Sequence, residues 1–123
     1  MKLHLAAPTG QNVFTGHGPG YVAVNDARHE TSLVVTPDRL ITDWPAPVFD
    51  ALEAAHLEPL VALGLEIVLL GTGPQIRFPH PEVLRPLIEA GIGVEVMDVA
   101  AACRTYNILM AEDRKVGAVL LLE

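Results

Sequence analysis

Three apolar runs of strand length, separated by segments of helical period, constrain the fold of this chain more than any other feature. The runs are Glu66 to Leu70, Gly93 to Met97 and Val116 to Leu122. Helices are predicted between them, over about Pro81 to Ala90 and about Val99 to Ala111. Because nearly continuous apolar strands are typical of parallel sheets buried on both faces, the pattern predicts a βαβαβ unit with right-handed crossovers.

The N-terminal part has a different pattern, in which short β-rich runs alternate with Gly, Pro, Asn and Asp. Tight turns are predicted at Asn25-Asp26 and Pro37-Asp38, and a looser loop over Gly16 to Gly20. The pattern predicts an antiparallel meander. Its four predicted strands are Val13 to Thr15, Tyr21 to Val24, Ser32 to Thr36 and Leu40 to Thr42.

A short helix is predicted around Ala54 to Leu63, closed by Gly64. Pro59 is compatible with that helix only within its first turn, where the missing N–H would have no partner in any case. With 123 residues, the chain is expected to form one domain with one core. The predicted fold class is α/β in three layers (β/β/α). The meander, residues 1–45, covers one face of the parallel or mixed sheet formed by residues 46–123, and the helices cover the other.

Charge and cysteine content exclude several classes of function. Eight Lys and Arg against fifteen Asp and Glu give a net charge of −7, which repels a nucleic acid backbone. Cys103 is the sole cysteine, so no intramolecular disulfide can form and a reducing compartment is expected. The first ten residues resemble neither a signal peptide nor a transit peptide, which favours a cytoplasmic location. No apolar run reaches the roughly 18 residues of a membrane helix, so any membrane contact is expected to be peripheral.

Polar residues and glycines gather where the first two predicted parallel strands end and where the following helix begins. Ligands of open α/β sheets bind outside the carboxyl ends of strands, so this surface is a candidate pocket for a carboxylate or phosphate-like anion. Its members are Gly71, Thr72, Gly73, Arg77, Asp98, Arg104 and Asn107.

Several of these residues also have plain structural interpretations. Asp98 precedes a helix and is expected to be its N-cap, or else to form a buried ion pair with Arg104. Gly71-Thr72-Gly73 imitates a dinucleotide fingerprint, but Ile76 replaces the third glycine, and no cofactor is expected. Cys103 is interpreted as a small core residue rather than a reactive thiol.

Other side chains give weak signals for a metal or a partner. The five histidines show no metal-ligand spacing, and with a single cysteine no metal site is expected. They are His4, His17, His29, His56 and His80. Trp44, beside two prolines, is either an anchor for a partner protein or a strand-end residue packed on its own core.

The motifs LLGTG with a following FP, then GIGVEVMD and AACRTYNIL, resemble a family typified by assembly factor 3 of mitochondrial complex I. The similarity covers nearly the whole chain, including VVTPDRLITDW, and many bacterial and archaeal members of the family have no assigned function. The resemblance implies a three-layer β/β/α fold. It also implies a non-catalytic role in building a respiratory membrane complex.

The sequence therefore favours a binding protein whose partners are other proteins, such as subunits of a respiratory complex. Its motifs contain no paired carboxylates and no metal cluster. They also contain no nucleophile with a base positioned to activate it. The alternative is a protein that binds a small anion, or an uncharacterised enzyme, with its pocket at the carboxyl ends of the strands.

Overall fold

A computed structural model of the chain describes residues 10–45 and 48–122, which form a mixed α/β domain. Its strands are β1 (Phe14–Gly18), β2 (Tyr21–Val24), β3 (Ala27–His29), β4 (Leu33–Thr36), β5 (Arg39–Ile41), β6 (Ile67–Gly71), β7 (Gly93–Met97) and β8 (Val116–Leu120). Its α-helices are α1 (Ala54–Leu57), α2 (Pro81–Glu89) and α3 (Val99–Ala111), with 3₁₀ turns at Phe49–Ala51 and Glu58–Leu63.

The main sheet has five strands in the order β5-β4-β8-β6-β7. Strand β6 pairs in parallel with both β7 and β8, so that Leu69 lies opposite Glu95 on one side and Ala118 on the other. Strand β8 pairs antiparallel with β4, which makes the sheet mixed. The prediction of three neighbouring parallel strands is confirmed.

The predicted meander is divided between two sheets. Strands β1, β2 and β3 form a small antiparallel sheet, whereas β4 and β5 extend the main sheet. Leu33 and Val35 face one core and Val34 faces the other, and a strand buried on both faces belongs inside a sheet. The three residues of β3 were not predicted.

The turn chemistry was partly predicted. Asn25 and Asp26 both have positive φ, at 51° and 69°, and close the β2–β3 hairpin. Most of the predicted loop at Gly16 to Gly20 is instead strand, because Gly16 to Gly18 pair with β2 and leave only two residues for the turn.

Helices cover both faces of the main sheet, which corrects the prediction that all helices lie on one side. Strands β7 and β8 flank β6 on opposite sides, so the crossovers from β6 to β7 and from β7 to β8 run in opposite directions. Two right-handed crossovers in opposite directions place α2 and α3 on opposite faces. The three layers are retained, but α3 shares its layer with the small sheet.

The main sheet has a hydrophobic core on each face, so the chain has two cores where one was expected. The core under the small sheet and α3 includes Phe14 and Tyr106, whose rings meet edge to face at 5.1 Å. The opposite core is formed by the main sheet with Trp44, residues 49–65 and α2, and includes Leu57, Leu60 and Leu87. The predicted helix at 54–63 is broken after Leu57, where a 3₁₀ turn begins at Glu58 with Pro59 in its first turn; Gly64, with φ of 71°, caps its end.

Gly71 allows α3 to lie close to the end of β6. A Cβ atom placed there would come within 2.7 Å of Leu120 Cδ2, 3.2 Å of Ala102 Cβ and 3.3 Å of Val99 Cα. The contact with Leu120 can be relieved by a change of rotamer, but Val99 contributes backbone, which cannot move without shifting the helix.

We expect Gly71→Ala to destabilise the fold by about 1–3 kcal/mol, because the added methyl group overpacks the junction of α3 and the sheet. Gly93→Ala is the matched control, since a Cβ there meets no atom closer than 3.6 Å and the loss of glycine entropy is favourable. Urea unfolding of both variants measures the difference. Equal free energies of unfolding would contradict the packing argument.

Candidate functional site

The loop that follows β6 is organised by Thr72, which is completely buried. Its backbone N–H donates to the carbonyl of Met97 at 2.9 Å. Its hydroxyl donates to the carbonyl of Gln75 at 2.9 Å and accepts the N–H of Arg77 at 2.8 Å. The predicted anion donor Thr72 therefore uses its polar atoms to fold the loop against the end of β7.

The first turn of α3 is capped from within the chain. The Asp98 carboxylate accepts the N–H of Ala101 at 2.8 Å, which confirms the interpretation of Asp98 as an N-cap. The N–H of Val99 donates to the carbonyl of Gly73 at 2.9 Å. Gly73 itself has φ of 104°, so a side chain at this position would be strained.

The two candidate arginines are on opposite faces of the main sheet. Arg77 pairs with Asp50 at 2.8 Å and stacks over the Phe49 ring at 4.2 Å, on the side of α2. Arg104 is exposed on α3, on the side of the small sheet. The sequence predicted that both arginines lie near the carboxyl ends of strands, because each follows a parallel strand. It did not show that they lie on opposite faces of the sheet. Anion binding by either one stays a prediction.

The alternative role of Arg104, an ion pair with Asp98, is not seen. Within residues 10–45 and 48–122, no salt bridge joins these two side chains. They are six positions apart along α3 and its cap, and the Asp98 carboxylate is directed at the amide of Ala101 instead.

Asn107 joins α3 to the small sheet. Its Oδ1 accepts the N–H of Phe14 at 2.9 Å, and its Nδ2 donates to the carbonyl of Phe14 at 2.8 Å. The amide side chain thus continues the ladder of β1 in the manner of a neighbouring strand. The two residues are 93 positions apart, so no local pattern in the sequence indicated the contact.

A cavity of about 220 Å³ is present at the carboxyl ends of the parallel strands. It lies between the β1–β2 turn, the Gly73-Pro74 turn and the start of α3, and it also contacts Leu121 and Leu122. A second cavity of about 240 Å³ is lined by Arg104, Asn107, Cys103 and residues of β1. His17 lines both, and sequence reasoning missed it because the approach of β1 to α3 is a tertiary contact.

Cys103 is a core residue, as the sequence interpretation favoured, with only 2% of its surface exposed. Burial in apolar surroundings raises the pKa of its thiol to about 12, although the charge of Arg104 acts in the opposite direction. The neutral thiol therefore dominates at neutral pH, and Cys103 is not an activated nucleophile.

Trp44 packs into the core on the side of α2, which confirms the structural alternative for this residue. Its indole Nε1 donates to the carbonyl of His56 at 3.0 Å. Among the described residues, no group of three or more His, Cys, Asp or Glu side chains is placed to hold a metal ion. His4 lies outside the described residues.

Two large apolar side chains of the loop after β6 are exposed, and sequence reasoning missed them because exposure depends on tertiary packing. Phe78 has 74% of its surface exposed and Ile76 has 48%.

No helix of the described residues is long and apolar enough to cross a membrane.

Comparison with known proteins gives extensive matches. The family model described as "Protein of unknown function (DUF498/DUF598)" matches residues 14–121. An uncharacterised protein of Rhodobacter capsulatus is 35% identical over 107 residues, which are 86% of this chain and 81% of that protein.

Two named relatives match over shorter segments. The "13 kDa major membrane protein" of Francisella tularensis is 34% identical over 71 residues, 58% of each chain. The mouse protein named NADH dehydrogenase (ubiquinone) 1 alpha subcomplex assembly factor 3 is 45% identical over 65 residues, which are 53% of this chain and 33% of that protein. The matches to these two relatives thus span between a third and three fifths of their length.

Solved structures share the whole fold. A crystal structure of a Bordetella parapertussis protein superimposes with a TM-score of 0.86 at 39% identity, covering 94% of this chain and 98% of that one. The solution structure of a Bordetella pertussis protein, described as a Mth938-like domain, gives 0.82 at 34% identity, covering 99% and 92%. The α/β fold inferred from the sequence is confirmed.

We expect Asn107→Leu to destabilise the protein by about 1–3 kcal/mol, because both backbone groups of Phe14 lose their partner while the side-chain volume is kept. Arg104→Gln is the control on the same helix and should change the free energy of unfolding by less than about 0.5 kcal/mol. Urea unfolding distinguishes the two. If Arg104→Gln lowers the free energy of unfolding more than Asn107→Leu does, the structural role assigned to Asn107 is wrong.

We expect the Cys103 thiol to react with a thiol reagent in urea but not in the native state at pH 8. Because its folded pKa is raised, its contribution to stability is complete below the pKa of an unfolded cysteine, about 8.5, and is lost as the pH rises toward 12. Between pH 7 and pH 10, the free energy of unfolding should fall less for Cys103→Ala than for the wild type. Rapid native labelling would contradict the burial.

Proposed function

We propose that this chain, which belongs to the DUF498/DUF598 family, acts without catalysis by binding other proteins, as an assembly or accessory factor for a respiratory membrane complex. The observation that carries the proposal is the set of relatives named as assembly factor 3 of NADH dehydrogenase, which includes the mouse protein at 45% identity and the zebrafish protein at 39%. The motifs LLGTG and GIGVEVMD resemble the same family.

The chemistry of the described residues supports binding rather than turnover. The polar residues of the predicted anion pocket are largely used inside the fold, since the side chains of Thr72, Asp98 and Asn107 bond to backbone atoms. The thiol of Cys103 is buried and protonated at neutral pH. Covalent catalysis requires a nucleophile within reach of a base, and these groups do not form such a pair.

Exposed apolar side chains support a protein partner. Phe78 and Ile76 lie on a loop that Thr72 anchors, and Ile108 is 57% exposed on α3. Aromatic side chains such as that of Phe78 are enriched at protein interfaces, where a few buried anchors supply most of the affinity. A loop already held by internal hydrogen bonds loses little entropy when it binds.

We expect deletion of the gene to lower the amount of assembled respiratory NADH dehydrogenase, and tagged protein to enrich subunits of that complex. Blue native electrophoresis of membranes and affinity purification from the native organism measure the two effects, with the untagged parent strain as background. Complementation with the unmodified gene should restore the assembled complex. Unchanged complex in the deletion strain, together with no enrichment of its subunits, would contradict the proposal and favour the alternative of a small-anion site.

A further inference from the structure

A groove of about 810 Å³ lies on the outer surface of the helical layer, between residues 54–62 and helix α2. We call it the acidic groove. Nine residues line it: Ala54, Glu58, Pro59, Val61, Ala62, Glu82, Arg85, Pro86 and Glu89. None of them lines the cavity at the strand ends or the cavity between β1 and α3.

The groove follows from how the two helical segments pack. Leu57 and Leu60 of the first segment and Leu87 of α2 are directed into the core, where each is at least 98% buried. The side chains that remain on the outside between the segments are small or ring-shaped, such as Ala54, Pro59 and Ala62. Short side chains on two adjacent helical segments leave a furrow between them.

The rim of the groove is acidic. Glu58, Glu82 and Glu89 are exposed, and the lining contains one cationic side chain, Arg85. In the part of the chain that the structure describes, no ion pair within 4.0 Å involves any of these four side chains. Glu66 is a contrast, because its carboxylate accepts the N–H of Lys115 and contacts Arg114. The rim charges are therefore not used by the fold.

We propose that the acidic groove binds a basic amphipathic helix of a partner protein. Apolar side chains of such a helix would occupy the floor, and its Lys or Arg side chains would reach the rim carboxylates. An amphipathic helix laid in an apolar groove is a common mode of peptide recognition, and complementary charge gives it specificity. This inference rests on the proposed function, because it names the class of partner.

Two other occupants fit the groove less well. A second copy of the chain would bring like charges together, since the rim is acidic and the net charge is −7. A small molecule requires a few buried polar groups that fix its orientation. The charged groups here are exposed carboxylates on the rim, which suit the long cationic side chains of a helix.

The test uses the full chain and two defined 18-residue peptides. One carries Leu at the i, i+3, i+4, i+7 positions and Lys elsewhere, and the other has Glu in place of every Lys. We expect the Lys peptide alone to bind, with an affinity that falls as salt is raised. Isothermal titration gives the affinity, and amide chemical shifts should map the contact to residues 54–62 and α2.

Matched variants separate the groove from general attraction to an acidic protein. Glu58→Lys with Glu89→Lys should weaken binding of the Lys peptide by about tenfold or more. Glu30→Lys with Glu95→Lys is the control, because it changes the net charge by the same amount with exposed residues outside the groove. It should leave the affinity within about twofold. Arg85→Gln should strengthen binding severalfold, and circular dichroism confirms that each variant is folded.

The inference is overturned if the two double variants weaken binding equally, if the Glu peptide binds as well, or if neither peptide binds at millimolar concentration. Shifts that map to the loop of Phe78 would overturn it too. Failure here would leave the proposed function intact, since the deletion strain and the affinity purification do not depend on which surface the partner uses.

Discussion

The close approach of α3 to the end of β6 is the constraint on which the rest of the structure depends. Gly71 provides the space, because any Cβ there would meet Leu120, Ala102 and the backbone of Val99. The carbonyl of Gly73 then accepts the N–H of Val99, and the N–H of Leu121 donates to the carbonyl of Gly71. The helix, two strands and the following loop are fixed at one point. The small sheet is held to this assembly by Asn107 and by the edge-to-face contact of Phe14 with Tyr106.

This construction affects where the molecule can bind. The polar groups at the strand ends, where ligands of α/β sheets normally bind, are turned inward to hold loops and helix ends together. The acidic groove lies on the outer side of the layer that contains α2. Its charged side chains form no ion pair with the described residues. An interface between proteins suits such exposed charges around an apolar floor. The groove is thus separate from the strand-end residues that hold the fold together.

Local features of the fold could be predicted from the sequence because their causes lie within a few residues. Strand β7 and helix α3 have the predicted bounds, Asp98 caps α3, and Asn25-Asp26 adopt the left-handed angles of a tight turn. The contacts within the candidate site could not be predicted in the same way. Thr72 was singled out as a member of the candidate anion pocket at a strand end, but the sequence did not show that it is buried and bonded to Gln75, Arg77 and Met97.

The sequence by itself determined the strands and helices from residue 66 onward, the three-layer α/β class and the family, because periodicity, caps and motifs are local. Only the tertiary structure decided that β4 joins the main sheet, that α3 shares a layer with the small sheet, and that Arg77 and Arg104 are on opposite faces. These outcomes depend on contacts between distant residues, as Asn107 and Phe14 illustrate at 93 positions apart. Such contacts are selected by the packing of whole faces and the direction of crossovers, which no short window of sequence contains.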